Sequence, residues 1–261
     1  MTIASLDDYI ASVKTYPIFW KSAGKGTNVF APFTVFDLAG MPSTGTLAVG
    51  NTANGLVPTC AENGFPMMPT LSNTGYLSRV IYSNICLCNI AIYDKLFHCG
   101  AYSFNANVTL SAQPSYSGRV PGANYAGLEL WFECVTAFTG TPSIQINYLD
   151  QDGNTGDTGV IALPLAMPQG RMFRMPLAAG DTGIQQITQV RGTIATVGTF
   201  NMCVMRPLWQ GRIGGAYEVK VDDLLKTGLP QVYSTSALYV VVTADSTNTQ
   251  TPYFQLEIAD K

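Results

Sequence analysis

The sequence predicts an all-β protein, a β-sandwich or jelly roll with a short N-terminal helix and long loops. Apolar and polar residues alternate in a series of short runs, the signature of half-buried strands. The gaps between runs are filled from 25 Gly and 15 Pro together with Asn and Ser, the residues that turn a chain back on itself. Only one stretch, near the N-terminus, repeats its apolar residues at helical spacing.

That stretch is 5–16. Ser5 can cap a helix, Asp8 stands three residues on in the capping-box position, and Asp7 and Asp8 suit its positive end. Leu6, Tyr9, Ile10 and Val13 share one face, and Pro17 ends the run. So short a helix is marginal alone, so it must lie on the body or on a neighbouring molecule. Residues 1–25 are therefore expected as a helical arm. Residues 26–261 are expected as a single large β-sandwich, because no shift in composition marks a further boundary.

Strands are expected at 29–37, 77–83, 85–93, 106–111, 127–136, 143–149, 158–163, 184–196, 198–206, 237–243 and 253–259. In 127–136, Leu128, Leu130, Phe132 and Cys134 share one face and Glu129, Trp131 and Glu133 the other. Ile144, Ile146 and Tyr148 likewise oppose Gln145 and Asn147, and Asp152-Gly153 is a hairpin turn signal. Residues 38–76 form a long Gly- and Pro-rich excursion, the kind of loop that serves as an interaction surface. Residues 164–183 carry three Pro and three Met and suit a loop that adapts to a partner. Around 219–226 one helical turn is expected, ended by Gly228 and Pro230.

Composition narrows the function. Only 12% of residues are charged, where an ordinary soluble globule carries about 25%. A surface of Ser, Thr, Asn, Gln and Gly suits burial against other protein. Lys and Arg are scattered singly and the net charge is −3, so no basic stripe exists to track phosphates and nucleic acid is not an expected partner. Apolar runs such as 237–242 are too short to span a membrane, so no membrane partner is expected. Asp7 and Asp8 stand where a secretory signal would be basic and then apolar, which implies synthesis in a host cytoplasm.

The side chains that could do chemistry are few. Asp-Thr-Gly occurs at 157–159 and 181–183, but glycine precedes both, and turn formation accounts for them. Asp150, Asp152 and Asn154 resemble a calcium loop but lack the flanking helices and terminal Glu of an EF-hand, so a solvated hairpin is the default. Cys86-x-Cys88 followed by His98-Cys99 is the one metal-like cluster. His98 or Cys99, with Cys60 or Cys134, could complete a zinc site, whereas packed thiols are the plainer reading of six scattered cysteines. His98 is the only histidine, so a Ser-His-Asp arrangement has one possible base and no flanking motif. Glu129 and Glu133 share a strand face about 13 Å apart, too far for the roughly 5–10 Å of paired-carboxylate glycoside hydrolysis. The chain is expected to be no enzyme and to need no cofactor. Tyr102, Tyr116, Tyr125, Tyr217 and Tyr253, in polar settings, suit contact surfaces or sugar-stacking platforms.

Two segments carry a family resemblance. INYLDQDGNTGDTG (146–159) and LAAGDTGIQQITQVRGTIATVGTFNMCVMRPL (177–208) resemble strand-and-turn patterns of structural proteins of tailed bacteriophages, over roughly 125–210. The resemblance implies a virion structural role, as a jelly-roll decoration or cement protein of the head, and it transfers no catalytic residue. The expected function is accordingly non-enzymatic. The protein would bridge and stabilise neighbouring major capsid subunits from the outer capsid surface of the virion, self-associating as a trimer. Its contact candidates are Leu6, Tyr9, Ile10 and Val13 of the arm and Met167, Met172, Phe173 and Met175 of the 164–183 stretch. The alternative is a glycan-binding, receptor-recognition module of a tail or baseplate.

Overall fold

The computed structural model describes residues 3–22, 24–25, 30–50, 53–72, 74–164, 166–194, 196–245, 247 and 250–261. Position 29 of the first expected strand and 195 of the strand at 184–196 lie outside the described residues. So do 1, 2 and 23 of the arm, 51, 52 and 73 of the long excursion, and 165 of the Met-rich stretch. The fold is all-β, and each of the eleven expected strands overlaps an observed one. By its contacts the chain divides into two compact units: Met1–Thr46, Thr59–Asp94 and Leu208–Lys261 form one, Leu47–Pro58 and Lys95–Pro207 the other. The chain crosses between them four times, so there is no linker for composition to reveal.

The first unit holds an antiparallel sheet in the order Val219–Asp222, Gly75–Ser83, Tyr253–Asp260, Ile18–Lys21, Gly40–Met41. Val13–Thr15 adds to Tyr253–Asp260 and Gln231–Val232 to Gly75–Ser83. A second set of strands pairs Leu238–Ala244 with Pro32–Thr34 and with the first half of Cys88–Ser103. Phe19, Val80, Tyr82, Phe254 and Leu256 from one sheet and Phe33, Ile90, Ile92, Val240 and Val242 from the other enter a single core. Each such burial is worth about 1.5–3 kcal/mol. Trp209 meets Tyr82 edge-on at 4.6 Å, and its indole N–H donates to Asp222 at 3.0 Å.

The N-terminal helix is shorter than expected, spanning Leu6–Ala11. Ser5 caps it, accepting the Asp8 N–H at 3.1 Å, while the Asp8 carboxylate accepts the Ala4 N–H at 3.1 Å. It stops at Ser12 rather than Pro17, because Val13–Thr15 takes Ile258, Ala259 and Asp260 as strand partners. β-Branched Val13 and Thr15 favour that outcome. Residues 13–15 and 18–21 are thus sheet, and among the described residues of the expected arm six are helical. The helical turn near 219–226 falls at Leu224–Thr227, capped by Asp223 and ended by Gly228 at φ 70°, with strand before it.

The second unit again places two sheets on one core. One runs Thr155–Asp157, Ser143–Asp150, Ile184–Gly192, Asn107–Thr109, with Ile161–Ala162 also on Ser143–Asp150. The other contains Met172–Arg174, Glu129–Thr136, and parts of Thr199–Ile213 and Cys88–Ser103. Ile144, Ile146, Tyr148, Ile187 and Val190 face Leu130, Phe132, Phe200 and Met202 within one cluster. Phe104 packs on Phe138 at 4.6 Å and on Phe200 at 4.9 Å.

Cys88–Ser103 and Thr199–Ile213 run far beyond the expected 85–93 and 198–206, and each carries the chain from one unit into the other. Both faces of their middle portions are buried, so alternation disappears where they continue.

Candidate assembly surface

The strand Ile18–Lys21 alternates cleanly. Phe19 and Lys21 point into the first unit, while Ile18 and Trp20 point out, 42% and 49% exposed. Strand register extends that outward face across the sheet in two rows. Val219 lies opposite Ser83, Ser83 opposite Tyr253, Tyr253 opposite Trp20, and Trp20 opposite Met41. In the next row Val221 lies opposite Ile81, Ile81 opposite Gln255, and Gln255 opposite Ile18. Neither row contains a charged residue. Val219, Val221 and Met41 are 66%, 57% and 59% exposed, and Ile81, Tyr253 and Gln255 are half-buried. An uncharged, largely apolar outward face of this kind is the sort of surface that suits contact with other protein.

The face ends where the next register position pairs Glu257 with Arg79, and there charge is neutralised within the chain. Arg79 donates to Glu257 at 2.5 Å, and Glu257 also accepts from Ser78 at 2.8 Å and from Tyr9 at 2.5 Å. The hydrogen bond to Glu257 raises the pKa of the Tyr9 phenol, with burial adding to the effect.

The structure separates the expected contact residues into two groups. Leu6, Ile10 and Val13 are 64%, 65% and 67% exposed. Leu6 joins Ile3, Tyr9, Leu224, Leu225 and Leu229 around an apolar cavity of about 500 Å³. Tyr9 is committed to Glu257. Met167 and Met175 are buried in the second unit's core cluster and Phe173 packs against it, while Met172, also buried, lies opposite Glu133 outside that cluster. Part of the Met-rich stretch is not a loop at all: Met172–Arg174 pairs with Trp131, Phe132 and Glu133. Three methionines that looked available to a partner are buried side chains.

The metal-like cluster does not converge. Cys86 lies in the turn before the strand, so it does not share a strand face with Cys88, the strand's first residue. Those two belong to the first unit, whereas His98 and Cys99 belong to the second, adjacent in a strand and so on opposite faces. Among the described residues no group of three His, Cys, Asp or Glu side chains is placed to hold a metal ion. The alternative completing ligands are engaged otherwise: Cys60 donates to the Ser234 carbonyl at 3.0 Å and Cys134 to that of Met167 at 3.5 Å. Burial pushes Cys88 up to about 11 and Cys99 up to about 12. Burial, and then the charge of Lys95, hold His98 well below the ordinary histidine range.

The remaining candidates serve turns. Asp150 accepts the N–H groups of Asp152 and Asn154 at 2.8 Å each, and Asp157 accepts that of Gly159 at 2.7 Å. Asp181 accepts the Tyr148 hydroxyl at 2.6 Å. Of the five tyrosines, Tyr102 and Tyr116 are buried, Tyr125 and Tyr253 half-buried, and Tyr217 exposed.

The outward face of Ile18, Trp20, Ile81 and Val221 escapes the sequence reading. Residues 17–22 are too short to register as a strand beside the helix that precedes them. The alternation in Ile18-Phe19-Trp20-Lys21 is the signal that could have found it.

No protein-family model and no curated protein matches the chain. Among solved structures, it is similar to a point-mutant VP2 protein of infectious bursal disease virus in T=1 particles. The identity is 10% over 95% of this chain and 78% of that one, with a TM-score of 0.19. It is similar also to the VP2 subviral particle of the same virus, at 11% identity over 96% and 81% of the two chains and a TM-score of 0.19. Likenesses this faint carry no argument, and the fold stands on the strands and cores described above.

Proposed function

We propose that this chain is a non-enzymatic structural subunit of a virus particle, a cement or decoration protein that bridges major capsid subunits on a tailed-phage head. One observation carries the proposal: the uncharged outward sheet face built from Ile18, Trp20, Met41, Ile81, Val219 and Val221. Such a face gains from burial against protein while leaving few ions to desolvate. The strand-and-turn resemblance over 125–210 supports the particle as the setting, and the low charge fraction agrees with a surface covered in assembly. The exposed Leu6 and Ile10 extend the contact. Capsid subunits and further copies of the chain, as a trimer, are the partners of this reading, and the outer capsid surface its location.

The test is to mix purified protein with particles that lack it and sediment them. Saturable retention at a stoichiometry matching the capsid three-fold axes supports the proposal. Protein that stays in the supernatant but binds immobilised glycans favours the receptor-recognition alternative and overturns it.

A further inference from the structure

Lys95 and Glu133 lie deep in the second unit, with side chains 2% and 0% exposed, and both carboxylate oxygens stand 3.3 Å from the ammonium nitrogen. Asn201, also wholly buried, donates from Nδ2 to Glu133 Oε2 at 2.7 Å and to the Leu47 carbonyl at 2.6 Å. Lys95 Nζ and Asn201 Nδ2 therefore meet at one carboxylate oxygen. The three residues come from consecutive strands of one sheet, with Asn201 on the middle strand directly opposite Glu133. Asn201 Oδ1 is buried without a hydrogen-bond partner, facing Gly100, where any Cβ would collide with it.

A buried ion pair is a weak source of stability, and apolar residues of the same volume would serve a core as well or better. An orphaned amide oxygen adds to the cost. What the three groups do supply together is a reaction: an amine nucleophile, a carboxamide electrophile and a carboxylate between them, with water excluded and the geometry held by strands.

We propose that Lys95 and Asn201 become joined by an isopeptide bond, with Glu133 as the proton shuttle. Glu133 takes a proton from the Lys95 ammonium, and the freed amine adds to Cγ of Asn201. The Nζ–Cγ bond forms and the Cγ–Nδ2 bond breaks. Two of the three Nζ protons pass through Glu133 to Nδ2, which departs as ammonium, and the carboxylate ends as it began. Nothing is oxidised or reduced and no co-reactant is consumed. The orphaned Oδ1 becomes the oxygen of the new amide. The product ties Cys88–Ser103 to Thr199–Ile213 covalently, in a chain whose six cysteines form no disulfide.

Intact-mass measurement of the purified, folded, full chain decides this. The expected result is a mass lower than the sequence mass by one ammonia. A tryptic digest should then yield one branched species that contains both Lys95 and Asn201, uncut after Lys95. Glu133→Gln is expected to restore the full sequence mass. Lys95→Arg keeps a cation beside Glu133 and should likewise stay at its own full mass, which provides an unlinked comparison if the glutamine variant fails to fold. Wild-type protein at full sequence mass after prolonged incubation, with separate peptides bearing Lys95 and Asn201, overturns the proposal. A bond that forms equally in Glu133→Gln overturns the role of Glu133.

Discussion

Trp20 stands directly opposite Tyr253 on neighbouring strands, both turned away from the core, while the adjoining pair Phe19 and Phe254 meets inside it at 5.7 Å. One pair of strands therefore presents aromatic residues to both faces of the sheet. The inner pair is explained by packing. The outer pair, flanked by Met41, Ile18 and Ile81, gains nothing from solvent and is the pair that the proposed assembly would cover.

Placing charge on that face should separate assembly from folding. Ile18→Lys combined with Trp20→Glu is expected to leave denaturant stability within about 1 kcal/mol of wild type, as surface substitutions do. Retention on particles should fall to background. Sedimentation and urea titration of the same preparation check both halves, and undiminished retention contradicts the assignment of this face.

Lys21 gives a pH signature. Its ammonium is wholly buried and donates to the carbonyls of Leu38 at 3.0 Å and Pro42 at 2.9 Å, and burial pulls its pKa from 10.5 down to about 8. Between those values the unfolded chain holds more protons than the folded one, so this residue's contribution to stability rises with pH from about 8 to 10.5. Below about 8 it is constant and at its least favourable. Tyr82, pushed up to about 12 by burial, acts in the opposite direction above pH 10. Comparison with Lys21→Met cancels that effect. The variant should be less stable by at least about 2 kcal/mol at pH 7, since it strands the buried carbonyls. The gap should widen as pH rises from 8 to 10, and a constant gap in urea titrations contradicts the account.

Glycine positions should differ sharply. A Cβ at Gly183 would collide with the Tyr125 carbonyl, whereas one at Gly118 meets nothing within 4 Å. Gly183→Ala is expected to cost more than about 2 kcal/mol, in the range of overpacked sites. Gly118→Ala should be neutral or slightly stabilising. Thermal melts of the two variants check the contrast.

Thiol reactivity should follow burial. Cys86 is half-exposed in its turn, while Cys88, Cys99, Cys134 and Cys203 are buried, and burial pushes the pKa of Cys88, Cys99 and Cys203 upward. An aromatic disulfide reagent added to native protein should modify Cys86 first, with the buried thiols reacting only on unfolding. Peptide mapping identifies the modified site, and early labelling of Cys99 or Cys203 contradicts the packing described.

Much of the sheet structure was legible, because Leu130, Phe132, Ile144, Ile146 and their neighbours alternate on strands with one wet face. Legibility failed where that condition failed. Beyond residue 93 the strand continues through Asp94 and Lys95, both buried and each bonded within its own unit, so the alternation that reveals a half-buried strand is lost there. Glu133 shows the same effect: it lies on the strand face opposite Leu130 and Phe132, and the fold covers that side as well. Met167, Met172 and Met175 misled for a related reason. Pro and Gly around them signalled a loop, and sequence alone does not reveal that the segment pairs with Glu129–Thr136. The Trp20 face went unnoticed because its rows form only when residues far apart in sequence pair with one another.

Hydroxyl-radical footprinting of the free protein and of particles carrying it tests the assembly claim most directly. Oxidation of Trp20, Met41 and Tyr253 is predicted to fall steeply in the particle, with exposed Tyr217 in the same unit as a reference outside the two rows. Equal oxidation of Trp20 and Met41 in both states would show that this face stays open to solvent, and the account would be wrong.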